Sequence, residues 1–60
     1  MTSTISGVYL YAARDDKSER IHTFSKNEEI TLLYTSSNGT WGYAKIADGT
    51  TGFVLMKWFV

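Results

Sequence analysis

Two turn dipeptides, Asn38-Gly39 and Asp48-Gly49, lie ten residues apart in the second half of the chain. Such pairs readily take the positive φ angles of tight β-hairpins, because glycine has no Cβ and asparagine and aspartate tolerate the left-handed region. The residues around both turns alternate between bulky and small side chains, which is the period of a β-strand. The pattern therefore predicts two consecutive antiparallel hairpins in a small barrel with an aromatic face.

The composition limits how such a barrel is held together and what it binds. A chain of 60 residues is one small domain, and such a domain buries only about 60% of its unfolded surface. There is no cysteine, so disulfides and thiolate zinc sites are excluded. Six basic and six acidic side chains cancel to zero net charge. We therefore do not expect nucleic acid or an anionic membrane surface as the partner.

The hydrophobic pattern predicts an all-β fold of five short strands. Closure of these strands into a barrel is favoured because it hides edges that a flat sheet would expose. We treat 1–60 as a single domain with an ordered core from about residue 5. The strands are predicted over 5–12, 21–24, 30–35, 40–47 and 51–54, with a polar loop over 14–20, a turn over 25–28, a hairpin loop over 35–39 and a short helical turn over 55–58 before the last residues.

Alternation within the strands predicts which side chains face outward. In the first strand Val8 and Leu10 share one side and Tyr9 and Tyr11 the other. In the fourth strand Trp41 alternates with small residues that suit the interior. The outer face is thus predicted to be rich in aromatic rings.

Glycines at two positions inside predicted strands have a different meaning. Gly42 and Gly52 lie where a side chain would be expected in the interior. A glycine within a strand often marks a close approach of two backbones. We predict such approaches at both positions.

The order of these segments resembles the SH3-like (Src homology 3) barrel from about residue 5 to residue 59. The segments 20–24, 25–27, 40–41 and 48–54 follow the pattern of the bacterial SH3 branch. Asn27 stands where that branch usually has a turn glycine, and asparagine can take the left-handed region there. The resemblance implies the same five-stranded barrel with a helical turn near its end.

A second resemblance is to eukaryotic SH3 domains, which bind proline-rich segments. The segments 7–11, 15–19 and 52–54 look like its motifs, as do Trp41 and Trp58. The chain departs from that branch in three places: Leu10 replaces the aspartate between the tyrosines, Leu55 the groove proline, and Lys57 the asparagine that bonds the ligand.

The two branches predict different registers for the first strand. In the bacterial alignment Val8 and Leu10 point inward, whereas in the eukaryotic alignment Ile5 and Gly7 do. A slip of one residue exchanges the two faces of a strand. Burial of these four residues therefore separates the alternatives.

The candidate ligand site is an aromatic groove. Exposed rings offer flat apolar area with polar edges and lose little entropy on binding. The resemblance adds Leu55 at the groove proline position. We define the aromatic groove by Tyr9, Tyr11, Trp41, Leu55 and Trp58.

The first loop contains an acidic cluster, Asp15, Asp16 and Glu19. These side chains could pair with a basic group of a peptide beside the groove. Basic residues interleave with them, so a solvated loop is the alternative. Tyr34 and Tyr43 are expected to pack across a hairpin rather than to bind ligand.

No enzyme, cofactor or metal site is predicted. His22 is the only histidine and is expected to be a half-buried strand residue. Thr23, Ser25 and Glu28 are only its neighbours in sequence, without a nucleophile motif. The glycines have neither dinucleotide-binding nor Walker spacing.

We therefore expect a noncatalytic, monomeric recognition module. The resemblance implies a peptide ligand, either a peptidoglycan peptide for the bacterial branch or a proline-rich segment for the eukaryotic one. A nucleic-acid-binding or structural assembly protein is the alternative from another class. No apolar run approaches the roughly 18 residues of a membrane span. Residues 1–7 lack a secretory signal, so we expect the cytoplasm if the chain is complete, and the cell envelope or exterior if it was excised from a bacterial parent protein.

Overall fold

Both turn dipeptides close β-hairpins as predicted, with φ of 75° at Gly39 and 93° at Gly49. The computed structural model describes residues 1–60. Its five strands form one antiparallel sheet in the order β2-β1-β5-β4-β3, which confirms the predicted all-β fold. The elements are β1 (Val8–Tyr11), β2 (Arg20–Phe24), β3 (Thr31–Thr35), β4 (Trp41–Lys45), β5 (Thr51–Leu55) and a 3-10 turn (Met56–Trp58).

The predicted strand boundaries need several corrections. The first strand begins at Val8 rather than at residue 5, because Gly7 has φ of 86° and the chain bends before it. The fourth strand is shorter than predicted at both ends, and the fifth includes Leu55, which had been assigned to the helical turn. The 3-10 turn is the only helical element, and the structure contains no helix capable of crossing a bilayer.

A β-bulge in β3 breaks the predicted alternation of its side chains. The register with β4 shifts between Leu32 and Tyr34. A bulge sets two residues against one on the partner strand, so Leu33 and Tyr34 are both exposed, at 47% and 56%. The expected strict alternation over 30–35 is therefore wrong at these two positions.

Burial in β1 matches the bacterial register. Val8 is 6% exposed and Leu10 is fully buried, whereas Ile5 is 44% exposed and Gly7 is also on the surface. The side that carries the tyrosines consequently faces outward. The core cluster comprises Val8, Leu10, Phe24, Ile30, Ala44, Ile46, Val54 and Phe59.

The predicted close approach of backbones is found at Gly52 but not at Gly42, where the side chains of Met56 and Leu32 approach instead. A Cβ at Gly52 would lie 2.7 Å from Leu10 Cγ and 2.8 Å from the carbonyl oxygen of Tyr11. A Cβ at Gly42 would lie 2.8 Å from Leu32 Cδ1. Both distances are shorter than ordinary carbon contacts, so β4 and β5 approach their neighbours only because these side chains are absent.

The first residues of the chain bond both to its last residue and to the β2–β3 turn. Thr2 and Val60 exchange two backbone hydrogen bonds of 2.8 and 3.0 Å. Ser3 is fully buried, and its backbone bonds Glu28 and Asn27 at 3.0 and 2.9 Å. Sequence reasoning gave these residues no structural role, because serine and threonine are usually exposed.

Candidate functional site

Three rings of the aromatic groove form a continuous row on the outer face. The rings of Tyr9 and Tyr11 meet edge to face at 6.1 Å, and those of Tyr11 and Trp41 at 5.7 Å. Tyr11 is only 7% exposed, since it lies between the other two. Tyr9 and Trp41 are half-buried, so each presents part of its ring to solvent.

A β-bulge in β2 lies opposite the central ring. The pairing passes from Leu10 with His22 to Tyr11 with Arg20, so β2 contains the extra residue. Bulges increase the local twist of a sheet. Tyr11 lies at this shift, pairs with Phe53 of β5 on its other side, and contacts the Trp41 ring of β4.

Trp58 and Leu55 complete the groove from the other end of the chain. Trp41 is directly opposite Leu55 in the β4–β5 ladder, so both side chains lie on the outer face. The 3-10 turn that follows is fixed by a 3.0 Å hydrogen bond from the Met56 N–H to the Thr40 carbonyl. A cavity of about 190 Å³ lies along this part of the groove, lined by Ile5, Gly7, Val8, Tyr9, Tyr11, Leu55 and Trp58.

A second cavity continues the surface beyond Leu55. It has a volume of about 470 Å³ and is lined by Gly39, Thr40, Leu55, Met56 and Lys57. Leu55 lines both cavities. An extended ligand that crosses Leu55 would therefore contact both cavities.

Two cations lie on the groove rings. Sequence reasoning placed Lys57 only at the position of a ligand-bonding asparagine, and it did not identify Arg20 as a site residue. The Arg20 guanidinium carbon is 4.6 Å from the centre of the Tyr9 ring, and the Lys57 Nζ is 4.9 Å from the centre of the Trp58 ring. Both distances are within the range of cation–π contacts. Lys57 precedes Trp58 directly in the sequence, but its place over the ring depends on the conformation of the 3-10 turn.

The acidic cluster of the first loop lies on the surface. Asp15, Asp16 and Glu19 are all exposed, and none of them lines either groove cavity. The Asp15 carboxylate accepts a 2.9 Å hydrogen bond from the Lys17 N–H. That bond orders the loop locally and leaves the other two carboxylates in solvent.

A second group of aromatic rings lies on the β3–β4–β5 face. Tyr34 and Tyr43 stack with ring centres 5.1 Å apart, and Tyr43 contacts Phe53 at 5.0 Å. The Tyr43 hydroxyl donates a 2.9 Å hydrogen bond to the Thr51 hydroxyl. The two tyrosines thus pack across the hairpin, as predicted.

His22 is a half-buried strand residue, as predicted, but it forms a hydrogen bond with Glu28 that sequence reasoning missed. Its Nε2 is 2.7 Å from Glu28 Oε2, and the other carboxylate oxygen of Glu28 accepts a 2.9 Å hydrogen bond from the Ser25 N–H. The Ser25 hydrogen bond, followed by the contact with His22, lowers the pKa of Glu28 despite the opposing effect of desolvation. The turn over 25–28 brings these sequence neighbours into contact.

The arrangement around His22 holds a turn together. No three histidine or carboxylate side chains lie close enough together to hold a metal ion. Hydrogen bonds account for every buried side-chain nitrogen and oxygen.

Comparison with known proteins assigns the chain to a family. Residues 6–60 match the bacterial SH3 domain, the branch whose register the burial of β1 also shows. No curated protein and no solved structure matches the chain. Domains of the SH3 type are in general noncatalytic modules that bind peptides, and the bacterial ones often bind peptidoglycan. With nearly all of its length matched, the chain belongs to the bacterial SH3 domain family.

Proposed function

We propose that the protein captures a peptide in the aromatic groove and that peptidoglycan peptides are its ligand class. The observation that carries this proposal is the contiguous row of Tyr9, Tyr11 and Trp41 beside the cavity that Leu55 and Trp58 line. Partly exposed rings with polar edges suit an extended peptide, since they pack against its side chains and bond its carbonyl groups.

The acidic cluster has a secondary role in this proposal. Asp15, Asp16 and Glu19 are exposed and line neither groove cavity, so in this proposal they contact a basic group of the ligand outside the groove. Exposed carboxylates steer an oppositely charged partner and add little affinity each. Loss of the cluster should therefore slow binding more than it weakens the bound complex.

A chemical-shift titration tests the ligand class directly. The indole N–H signals of Trp41 and Trp58 report on the groove, and three probes separate the candidate functions: soluble muropeptides, a proline-rich peptide and a short oligonucleotide. We expect the muropeptides to shift both signals. A shift with the oligonucleotide alone, weakening steeply with salt, would instead identify a nucleic-acid-binding protein, and no shift with any probe would contradict the groove proposal.

Replacement of Trp41 by alanine tests the site. We expect Trp41→Ala to weaken muropeptide binding roughly thirtyfold, because an aromatic residue that dominates an interface typically contributes about 2 kcal/mol or more. The ring is half-buried and contacts Tyr11 at 5.7 Å, so the loss of unfolding free energy should stay near 1 kcal/mol. Calorimetric titration and urea denaturation measure the two effects.

Tyr34→Ala is the matched control, since it removes an exposed ring outside the groove. It should leave binding unchanged. Equal losses of affinity in both variants, or unfolding of Trp41→Ala, would show that the Trp41 ring has a structural role only.

A further inference from the structure

Two cationic side chains give the aromatic groove a positive charge. Arg20 lies over Tyr9 and Lys57 over Trp58, and both of these rings line the smaller cavity. We propose that the groove selects peptides with carboxylate groups, which bind between Arg20 and Lys57. This proposal rests on the peptide-binding function above and defines the chemistry of its ligand.

Neither cation is neutralised by the protein. No carboxylate forms a salt bridge with Arg20 or Lys57, and the one such contact in the structure joins His22 to Glu28. The guanidinium of Arg20 and the ammonium of Lys57 therefore retain their positive charge for a ligand. Lys57 also lines the larger cavity. Its charge is therefore close to both cavities that a ligand crossing Leu55 would contact.

The stacked geometry prepares these cations for a carboxylate. A guanidinium that lies over a ring keeps its N–H groups free at the edge, where they can form paired hydrogen bonds with a carboxylate. The ring also restricts the long side chain before the ligand arrives, which reduces the entropy lost on binding. Two cations on separate rings favour a ligand with more than one carboxylate.

The rest of the molecule favours an acidic peptide over a polyanion. The net charge is zero, and the first loop contributes three exposed carboxylates. Arg14 and Lys17 interleave with these carboxylates, so the loop adds no positively charged surface for a nucleic acid beside the two groove cations. A peptide can place its carboxylates in the groove and keep the rest of its length neutral or basic.

The test uses three capped hexapeptides in which alanine alternates with glutamate, glutamine or lysine, each titrated into the chain while the two indole signals are followed. We expect the glutamate peptide to bind roughly fivefold more tightly than the glutamine peptide, as two partly exposed ion pairs allow. This preference should fall to less than about twofold when salt is raised from about 0.05 M to about 0.5 M.

Charge-removing variants locate the preference. Arg20→Gln and Lys57→Gln should each lower the preference for glutamate about twofold, and the double variant should abolish it. Lys26→Gln is the matched control, because Lys26 is exposed in the β2–β3 turn and lines neither groove cavity. It should leave the preference intact.

The outcomes separate this proposal from the proposed function. Equal binding of the glutamate and glutamine peptides, tighter binding of the lysine peptide, or an equal effect of Lys26→Gln would overturn the acidic selectivity. The peptide-binding function would still stand if muropeptides bound the groove and Trp41→Ala removed that binding. Failure of every peptide and muropeptide to shift either indole would overturn both, and salt-sensitive binding of an oligonucleotide alone would point to a nucleic acid instead.

Discussion

At the scale of single residues, the groove depends on rings with different tasks. Tyr11 is almost fully buried between Tyr9 and Trp41. It holds the neighbouring rings at fixed positions and offers little surface of its own. Trp41 is more exposed and lies opposite Leu55, the residue that lines both cavities. The residues best placed to contact a ligand are therefore those at the ends of the row.

Two buried glycines, Gly42 and Gly52, give a testable prediction at this scale. Gly52→Ala would place a Cβ 2.8 Å from the backbone carbonyl oxygen of Tyr11, whereas Gly42→Ala meets the ends of the Leu32 and Met56 side chains. Backbone cannot move aside as a flexible side chain can. We expect Gly52→Ala to lower the unfolding free energy by about 2–3 kcal/mol and Gly42→Ala by about 1 kcal/mol.

Urea denaturation of the two variants under the same conditions measures the difference. The comparison is internally controlled, because both substitutions replace a buried glycine in a neighbouring strand of the same sheet. Equal losses, or a larger loss for Gly42→Ala, would mean that β1 and β5 can separate without cost.

At the scale of elements, the β2–β3 turn is the most elaborate connection. Asn27 has φ of 66°, the only positive value outside glycine, as its place in the turn predicted. Glu28 follows it and uses both carboxylate oxygens, one for the Ser25 N–H and one for His22. The turn is therefore fixed by a charged side chain as well as by its backbone conformation.

That charge makes the stability of the turn depend on pH. The pKa of Glu28 is lowered in the folded protein, first by the Ser25 hydrogen bond and then by His22. A lowered folded pKa means that the stabilisation is present above the unfolded pKa and is lost as pH falls through the folded one. Glu28→Gln should thus be less stable than the parent protein at pH about 6, by no more than about 1 kcal/mol for this partly exposed group.

Urea denaturation between pH about 6 and about 3 tests the expectation. The difference between Glu28→Gln and the parent should shrink to zero at the acid end, where the parent carboxyl is also neutral. The pKa of Asp48 is also lowered, first by the Thr50 N–H. Because Asp48 is present in both proteins, its contribution to stability cancels in their difference. Glu29→Gln is the control and should follow the parent curve; a constant difference for Glu28→Gln would disprove the role of the charge.

Sequence reasoning succeeded where local chemistry determines the structure. The turn dipeptides gave both hairpins, and the position of Val8 and Leu10 in the motif pattern gave the register that the structure shows. It failed at the two bulges, because a period of two residues contains no signal for an inserted residue. It also missed the placement of Arg20 and Lys57 over the groove rings, because these contacts depend on the register of β1 with β2 and on the conformation of the 3-10 turn.

At the scale of the whole molecule, both ends of the chain take part in the fold. Residues 2–4 connect the C-terminal residues to the β2–β3 turn through backbone hydrogen bonds. Ser3 is at the centre of this connection and its hydroxyl donates to the Ser25 carbonyl and accepts from the Glu28 N–H. A chain of this size has only about 3–9 kcal/mol of net stability, so one such connection is a substantial share.

Removal of the buried Ser3 hydroxyl should therefore destabilise the whole molecule. Ser3→Ala removes both hydrogen bonds of the buried hydroxyl, while the Glu28 N–H keeps its 3.1 Å bond to the Ser25 carbonyl, so we expect a loss of about 1–2 kcal/mol in unfolding free energy. The Thr4 N–H donates a 2.8 Å hydrogen bond to the Trp58 carbonyl, so the Thr4 amide should exchange with solvent only at the rate of global unfolding. Ser3→Ala should then accelerate exchange of the Thr4 amide and of the core amides equally. Ser6→Ala, which truncates an exposed side chain in the adjoining segment, should change neither stability nor exchange. Rapid exchange of the Thr4 amide in the parent protein would show instead that the first residues fray independently of the barrel.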